Sequence, residues 1–507
     1  MEMSAQGLYT QMCGDRHSYL ERARDAARVT IPTLVPDEGA TSATKFPTPY
    51  QSIGARGVNN LASALLLSLL PPNAPFFRLV LDEMAIKKIE GIEGVKTEIE
   101  DSLSEIERAV MREIEVSNIR VTVFEAVKQL IVAGNVLLYV PEDGNVRLFR
   151  LDRYAVCRDA DGNIEKVITH ETISPSVLPE YVRAKIDPSK FETAESIDLY
   201  TCCKRMPDGK FHIHQEVDGV MIEGTDGIIP ADKMPFIALR MIKVDGDDYG
   251  RSYVEQYLGD LRSLEALTQA IVEGSAASAK VLFLVNPNST TRARTLAESP
   301  NGAIREGNAN DCSVLQVGKQ ADFSVALQTA QTISDRLAFA FLLTESTIRQ
   351  AERVTAEEVR LVTMSIERQL GGVYSLLSQE LQLPLVELLM SKMKKQKRLP
   401  EIPKNLVQAA VITGIEALGR GNDLNKLDMY LAGIAQILGP EMLGQFINMR
   451  EYMDRRATAL GIDTKGLVKS EEELQQEAQM QAQNATVQQF GPKVVEGLAN
   501  QTMAPSQ

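Results

Sequence analysis

The sequence predicts an α+β protein that is mainly helical, with one antiparallel β region set into it. Three observations carry this. Long stretches place apolar residues at steps of three and four, the spacing that lines one side of a helix. Between residues 135 and 245 the pattern changes to short apolar runs separated by Asp-Gly turns. Aromatic residues make up only 5% of the 507 residues and Trp is absent, so the core is built from Leu, Val, Ile, Ala and 18 Met, a composition suited to packed helices.

The elements follow in order. Residues 1–30 read as a helix that ends before Pro32, and 36–49 as a polar loop rich in Pro, Gly, Ser and Thr. Residues 51–70 form a helix closed by Pro71-Pro72. The helix over 96–116 is amphipathic, with Ile99, Leu103, Ile106, Val110 and Ile114 along one side. Another spans about 121–133. Four hairpins are expected next, turning at PEDG, Asp161-Gly162, Asp208-Gly209 and Asp226-Gly227. Helix resumes over 252–283, where Leu258, Leu261, Leu264 and Leu267 give an apolar side. Residues 286–323 are polar and irregular, with a strand expected at 312–317. Helices are expected at 324–343, 355–383 and 384–397, with more to about 460.

The start of the 355–383 helix is sharply specified. Thr355 and Glu358 make a capping box, and Val354 and Val359 stand at the staple positions around it. Such a cap is worth roughly 1 kcal/mol or somewhat more. Val359, Val362, Ile366, Leu370, Val373, Leu377 and Leu381 continue as one stripe over roughly 40 Å, and Pro384 marks an end or a kink. Ser470 and Glu473 suggest one more capped helix before a Gln-rich tail.

Charge and composition narrow the function. The net charge of −14 argues against a protein that grips nucleic acid through many phosphates, since each such contact needs Lys or Arg. Cys13, Cys157, Cys202, Cys203 and Cys312 are odd in number and form no CxxC, which fits a reducing compartment. The most apolar run, Leu61 to Leu70, is about half of what a membrane span needs. No signal pattern opens the chain, so a cytoplasmic, non-membrane protein is expected.

Catalytic chemistry finds little support. His212 and His214 share one strand face, but no third ligand is spaced to complete a metal site. No GxSxG elbow and no phosphate-binding GxxxxGK[ST] loop is present. Asp245 to Gly250 begins like a calcium loop, yet Tyr249 and Gln256 stand where ligands are needed, so a turn into the next helix is expected. Lys392, Lys394, Lys395, Lys397 and Arg398 suit a helix C-terminus, where cations complement the dipole. No catalytic residue, metal or cofactor is therefore assigned.

One further run is unusual. Gly274, Ser275, Ala276, Ala277, Ser278 and Ala279 are six small residues in a row, which allow close helix approach. Either a neighbouring element passes over them, or copies of this helix converge about an axis.

The runs GARGVNNLASALLLSLLP (54–71), VTVFEAVKQLIVAGNVLLYVPE (121–142), DDYGRSYVEQYLGDLRSLEALTQAIV (247–272), AERVTAEEVRLV (351–362), GGVYSLLSQELQLPLV (371–386) and GIEALGRGNDLNKL (414–427) resemble the portal proteins, or head-to-tail connectors, of short-tailed podophages of the autographivirus type. They stand in the family's order and cover most of 48–465, the two ends being looser. The resemblance implies a portal fold. Residues 1–250 would be the wing, with the β region of about 135–245 inside it, 251–285 the stem helix, 286–323 the clip and 324–343 the returning helix. Residues 344–354 would be a tunnel loop, 355–383 the long capped helix, 384–465 the crown and 466–507 the tail.

It also implies a ring, usually of twelve copies, at one capsid vertex, with no enzymatic activity of its own. Double-stranded DNA would pass through without sequence-specific binding. The implied partners are the terminase large subunit, tail adaptor and tail tube proteins, and the major capsid and scaffold proteins. Internal core proteins are a further implied contact. Assembly would take place in the cytoplasm of the infected bacterial cell. On this frame the run 274–279 lies where stem helices crowd together. Arg349 and Arg353 would lie in the tunnel loop, where one of them would point at the DNA or else pair with Glu345 or Glu352, and Arg292 and Arg294 are candidates for docking terminase or adaptor. Without the resemblance, a cytosolic helical scaffold or adaptor would be the alternative.

Overall fold

The computed structural model describes residues 3–41, 43–72, 76–81, 95–185, 196–278, 282–288, 291–304, 306, 308–315, 320–343, 370–399, 409–413, 420–438, 452–453 and 456. Residues 1–417 make one compact unit and 418–507 a second.

The first unit opens with α1 (Ala5–Arg28), which Ser4 caps by accepting from the Gly7 N–H. It is followed by α2 (Ile53–Leu69), a strand β1 (Phe77–Leu81), α3 (Val95–Val116) and α4 (Ile119–Ala133). The expected stripe of α3 is buried at Leu103, Ile106, Val110 and Ile114, and α4 buries Val123, Val127 and Leu130 beside it. These helices, with Leu61, Leu65 and Leu69 of α2, form the largest part of one continuous apolar core.

The β region divides into two sheets. Strands β2 (Asn135–Tyr139), β3 (Arg147–Phe149) and β10 (Phe236–Arg240) form a three-stranded sheet in the order β10-β2-β3. The larger sheet runs β4 (Tyr154–Arg158), β5 (Ile164–Ile173), β6 (Ile197–Arg205) and β7 (Phe211–Val217), ending on β8 (Val220–Met221) and β9 (Gly227–Ile229). A short helix α5 (Glu180–Lys185) interrupts it between β5 and β6. Helix α1 is laid on this sheet: the Tyr9 hydroxyl donates to Asp152 O, and the Arg16 guanidinium donates to Tyr9 and to Tyr154 O.

Three of the four hairpins form as the turns predict; the fourth does not. Strands β8 and β9 do not pair with each other but lie end to end along one edge of β7. The turn is Asp218-Gly219, with φ of 51° and 78°. Two successive positive φ values are what a two-residue hairpin turn requires, and Asp-Gly supplies them at least cost. Asp226 instead meets the ring of His212.

An arm then leaves the core. Helix α6 (Leu258–Ser278) buries Leu261 and Leu264, with Leu258 and Leu267 packed against the core. It is shorter than the 252–283 expected: residues 282–285 are strand β11 (Leu282–Val285), which pairs with β12 (Cys312–Leu315). The run Leu282-Phe283-Leu284-Val285 favours a strand once a partner strand is present. Between them lies the five-residue helix α7 (Ala293–Ala297). Helix α8 (Gln320–Ala340) returns antiparallel to α6, as Gly274 meets Phe323 near one end and Asp260 pairs with Arg336 at 3.1 Å near the other.

Helix is found again from 370, passes through a π turn at 378–382, and continues as α9 (Leu383–Lys395). Pro384 therefore does not end the helix. Its ring has no N–H and would crowd the carbonyl of Glu380, and the widened turn just before it accommodates both defects. The helical reading of the chain beyond 397 also needs correction: β13 (Ala409–Thr413) is a strand and pairs antiparallel with β1, Leu79 opposite Val411. In the second unit α10 (Arg420–Leu438) carries Asp428, which accepts from the Tyr452 hydroxyl.

Candidate functional site

The arm α6–β11–β12–α8 and the joint where it returns to the core are the features with functional reach. The arm depends on close approach. A Cβ on Gly274 would stand 2.4 Å from the Phe323 ring, so the absent side chain lets that ring lie close against the helix backbone. At Gly274 a neighbouring helix therefore passes over the small-residue run. Ser275 and Ala276 stay exposed beside it, while Ala277 and Ser278 lie in the last turn of α6 and Ala279 lies outside the described residues.

At the outer end, Asp311 organises the segment between the strands. Its carboxylate accepts from the Thr291 hydroxyl at 2.9 Å, its backbone carbonyl from the Asn286 N–H at 2.9 Å, and the Asn308 N–H donates to Thr291. Arg292 is the exposed N-cap residue of α7. Arg294 pairs with Glu298 at 2.9 Å, and both side chains are largely exposed, so the pair adds little stability and its partners can be exchanged. Ile304, fully exposed, stands on the same segment.

At the inner end, the return of α8 is fixed by two side chains. Tyr253 donates to Ala340 O at 2.8 Å, and the Asn60 amide donates to both Phe341 O and Leu342 O at 3.1 Å. The chain then enters 344–354. Arg349, Arg353, Thr355 and Glu358 lie outside the described residues, as does most of the helix that the capping box starts. The described part, from 370, meets Met241, Ile242, Tyr253 and Tyr257 across a cleft of about 480 Å³.

The other polar clusters serve the framework. The acidic turn is structural, as expected: Tyr19 donates to Asp247, the Arg158 N–H donates to Asp248, and the Gly250 N–H donates to Asn135. Burial pushes the Asp248 carboxyl above its ordinary value, against the pull of the Arg158 N–H and charge. Burial likewise pushes the Tyr9 hydroxyl and the Cys203 thiol up to about 12. A thiol so held is protonated and a poor nucleophile. Among the basic cluster at the end of α9, Lys392 reaches Gly144 O, Lys395 reaches Glu142 and Arg398 reaches Glu113, so these cations tie the helix end to neighbouring elements. The His212 and His214 rings lie 5.1 Å apart. Among the described residues no group of three or more His, Cys, Asp or Glu is placed to hold a metal, and no helix is long and apolar enough to cross a membrane.

The described side chains thus build a framework with a protruding two-helix arm, the makings of an assembly component. The chain matches the family model described as the bacteriophage head to tail connecting protein over residues 2–468. It is 42% identical to the portal protein of Escherichia phage T7 over 511 residues, covering 99% of this chain and 95% of that one. It is 44% identical to the portal protein of Enterobacteria phage T3, covering 94% and 90%, and 31% identical to that of Enterobacteria phage SP6, covering 98% and 96%. Among solved structures, a chain from the neck of an empty gene transfer agent particle aligns with a TM-score of 0.41 at 13% identity, covering 82% of this chain and 90% of that one, a likeness too loose to define the fold. The chain belongs to the bacteriophage head-to-tail connecting proteins, the portal proteins of the autographivirus type.

Proposed function

We propose that this chain is the subunit of a ring at one vertex of a phage capsid, through which the genome enters during packaging and leaves on ejection. The observation that carries the reading is identity of 42% sustained over 99% of the chain to a portal protein. The fold is consistent with it. An antiparallel helix pair with a small tip of strands suits a wall element in a ring, the helices standing side by side with those of neighbouring copies and the tip reaching outward.

In this reading α6 and α8 are the stem, 286–323 the clip, 344–354 the tunnel loop and the chain from 384 the crown, with a closed ring of twelve. The role is mechanical: a separate terminase motor docks on the clip and drives DNA, and tail adaptor proteins later take its place. Arg292 and Arg294 suit such an exchange, because their charges stand on the exposed outer segment. An overall acidic chain suits a conduit that must not hold phosphates, since each neutralised phosphate releases counterions and tightens the grip. One of Arg349 and Arg353 is the proposed point of DNA contact.

Electron microscopy of the purified protein, repeated with scaffold protein present, tests the ring. A closed ring with a hole wide enough for a duplex is expected, and monomers or dimers under every condition would overturn it. Replacing Arg349 and Arg353 by Ala is expected to lower DNA retention in particles; unchanged packaging and retention would remove them from the channel.

A further inference from the structure

The arm leaves the body along α6, and one residue on its flank grips the chain just ahead of α2. Glu265 is half-buried and follows Leu264, the last residue of α6 to be fully buried in the core. Its Oε1 accepts from the Tyr50 N–H at 2.8 Å and its Oε2 from the Gln51 N–H at 3.1 Å. Both carboxylate oxygens are thus spent on two successive backbone groups. Hydrogen bonds to a charged acceptor are roughly twice as strong as neutral ones. The positive end of α2 begins two residues on, which favours a carboxylate at this place.

Gln51 ties the same point to the rest of the body. It is 6% exposed. Its side-chain amide donates to Val29 O, at the C-cap of α1, at 2.7 Å and accepts from the Gly54 N–H, in the first turn of α2, at 2.8 Å. A Cβ on Gly54 would stand 2.5 Å from Val29 O, so the two helix ends are closely fitted. This side of the joint does not follow the arm if the arm turns.

The other contacts of α6 constrain its angle less. Leu261 and Leu264 resist separation from the core, but apolar burial has no direction. Arg262 with Asp25 at 2.9 Å and the Tyr50 hydroxyl with Glu273 at 3.3 Å are exposed contacts, and such contacts add little. The pair Asp260–Arg336 and the fit of Gly274 to Phe323 make α6 and α8 move as one piece. Without Glu265, the strong directional contacts between arm and body among the described residues are those at the inner end of α8, and the arm can swing about that end.

We propose that Glu265 is a positioning residue: it sets the angle between arm and body, and through that angle the number of copies in the closed ring. This rests on the ring reading given above. In such a ring each copy meets the next through both its body and its arm, and both must turn by the same angle for the ring to close. Twelve copies turn by about 30° each and thirteen by about 28°. From Glu265 to the end of α6 is about 20 Å, so that difference moves the far end of the helix by less than about 1 Å. Apolar packing tolerates a shift of that size, whereas a two-pronged hydrogen bond loses its geometry.

The test compares the parent with Glu265→Ala, Glu265→Gln and Val182→Ala. Val182 is buried in a separate apolar cluster beside the larger sheet and gives the baseline for a general loss of stability. Hydrogen exchange resolved at the Tyr50 and Gln51 amides reads the joint, and end-on electron micrographs of rings read the number of copies. In Glu265→Ala the two amides are expected to exchange roughly tenfold faster or more. The share of rings at the parent's main copy number is expected to fall severalfold, with neighbouring numbers taking its place. Glu265→Gln keeps one acceptor oxygen, so it should lie between, and it serves if Glu265→Ala does not assemble. Val182→Ala should match the parent in both readouts. Rings lost in both Glu265 variants but kept in Val182→Ala, at equal helical content, also support the proposal. Exchange no faster than in Val182→Ala, or faster exchange with the parent's copy numbers retained, would overturn it. A parent that forms no rings would remove the ring reading itself, and the proposal with it.

Discussion

Arg240 is 3% exposed, and its charge is answered by one residue 140 positions away. Its Nε donates to Glu380 Oε1 at 3.1 Å and its backbone N–H to Glu380 Oε2 at 3.2 Å, so both carboxylate oxygens are used. This pair joins β10 to the π turn. Breaking a buried pair costs more than replacing it, because the remaining charge stays desolvated. Glu380→Ala is expected to lower stability by about 3 kcal/mol, and Arg240→Met with Glu380→Leu to recover most of it, read from unfolding midpoints. Asp248 gives a pH test. Its folded value lies above the ordinary 3.8, with burial as the first cause. A raised acid favours the folded state when protonated, so stability falls as pH rises from the ordinary value through the folded one, and the full penalty stands above both. Asp248→Asn keeps an acceptor for the Arg158 N–H without the charge. It is expected to unfold at higher temperature than the parent near pH 8, and the gain should fade as pH drops below the ordinary value. A gain that grows in acid would contradict the assignment. The sequence marked Asp245 to Gly250 as a turn rather than a calcium loop, but it could not say that Arg158, Tyr19 and Asn135 would use it, since those partners come from other elements.

The same division between local and distant information runs through the elements. Helices α1 to α4 were legible because their periodicity and stops are local: Pro32, Pro71-Pro72 and the α3 stripe need no partner to be read. Strands β1 and β13 were missed because each is five residues long and gains its form only from the other, more than 300 positions away. The hairpin at Asp218-Gly219 was passed over for Asp226-Gly227 because both dipeptides fit the turn and only the register of β7 chooses between them. Pro384 was rightly suspected of disturbing its helix, yet a π turn absorbs the disturbance, and Gln382 within that turn is tied to Leu69. Of the candidate site, composition drew attention to the run from Gly274, but it could not say that Phe323 comes close at Gly274 itself. That contact is testable. Gly274→Ala forces a methyl group into the ring and is expected to cost about 1–3 kcal/mol, seen as a lower unfolding midpoint. Phe323→Leu in the same chain should return part of the loss, because the smaller side chain can give way. A Gly274→Ala protein as stable as the parent would mean that the two helices do not depend on this contact.

At the scale of the whole molecule, a subunit of net charge −14 repels its own copies, so a ring of them needs short-range attraction to close. The returning helix offers it. Val325 and Phe339 on α8 are 66% and 63% exposed in the single chain, and they lie fourteen residues apart, close to four whole turns, so they share one side. Burying a side chain of the size of Phe339 at each contact would contribute about 1.5–3 kcal/mol, repeated around the ring. Salt acts on the opposing term. The screening length falls from about 10 Å at 0.1 M to about 3 Å at 1 M, which removes most repulsion between exposed charges without weakening apolar burial. The fraction of protein sedimenting as rings is therefore expected to rise with salt over that range. Phe339→Asp deletes the apolar contact and adds a charge at the same place. It is expected to leave the helical content of the subunit unchanged and to hold it as monomer even at the high-salt end. Rings that form equally well at both salt concentrations, or in the Phe339→Asp protein, would mean that closure is carried by other surfaces and that this side of α8 faces the channel or the solvent.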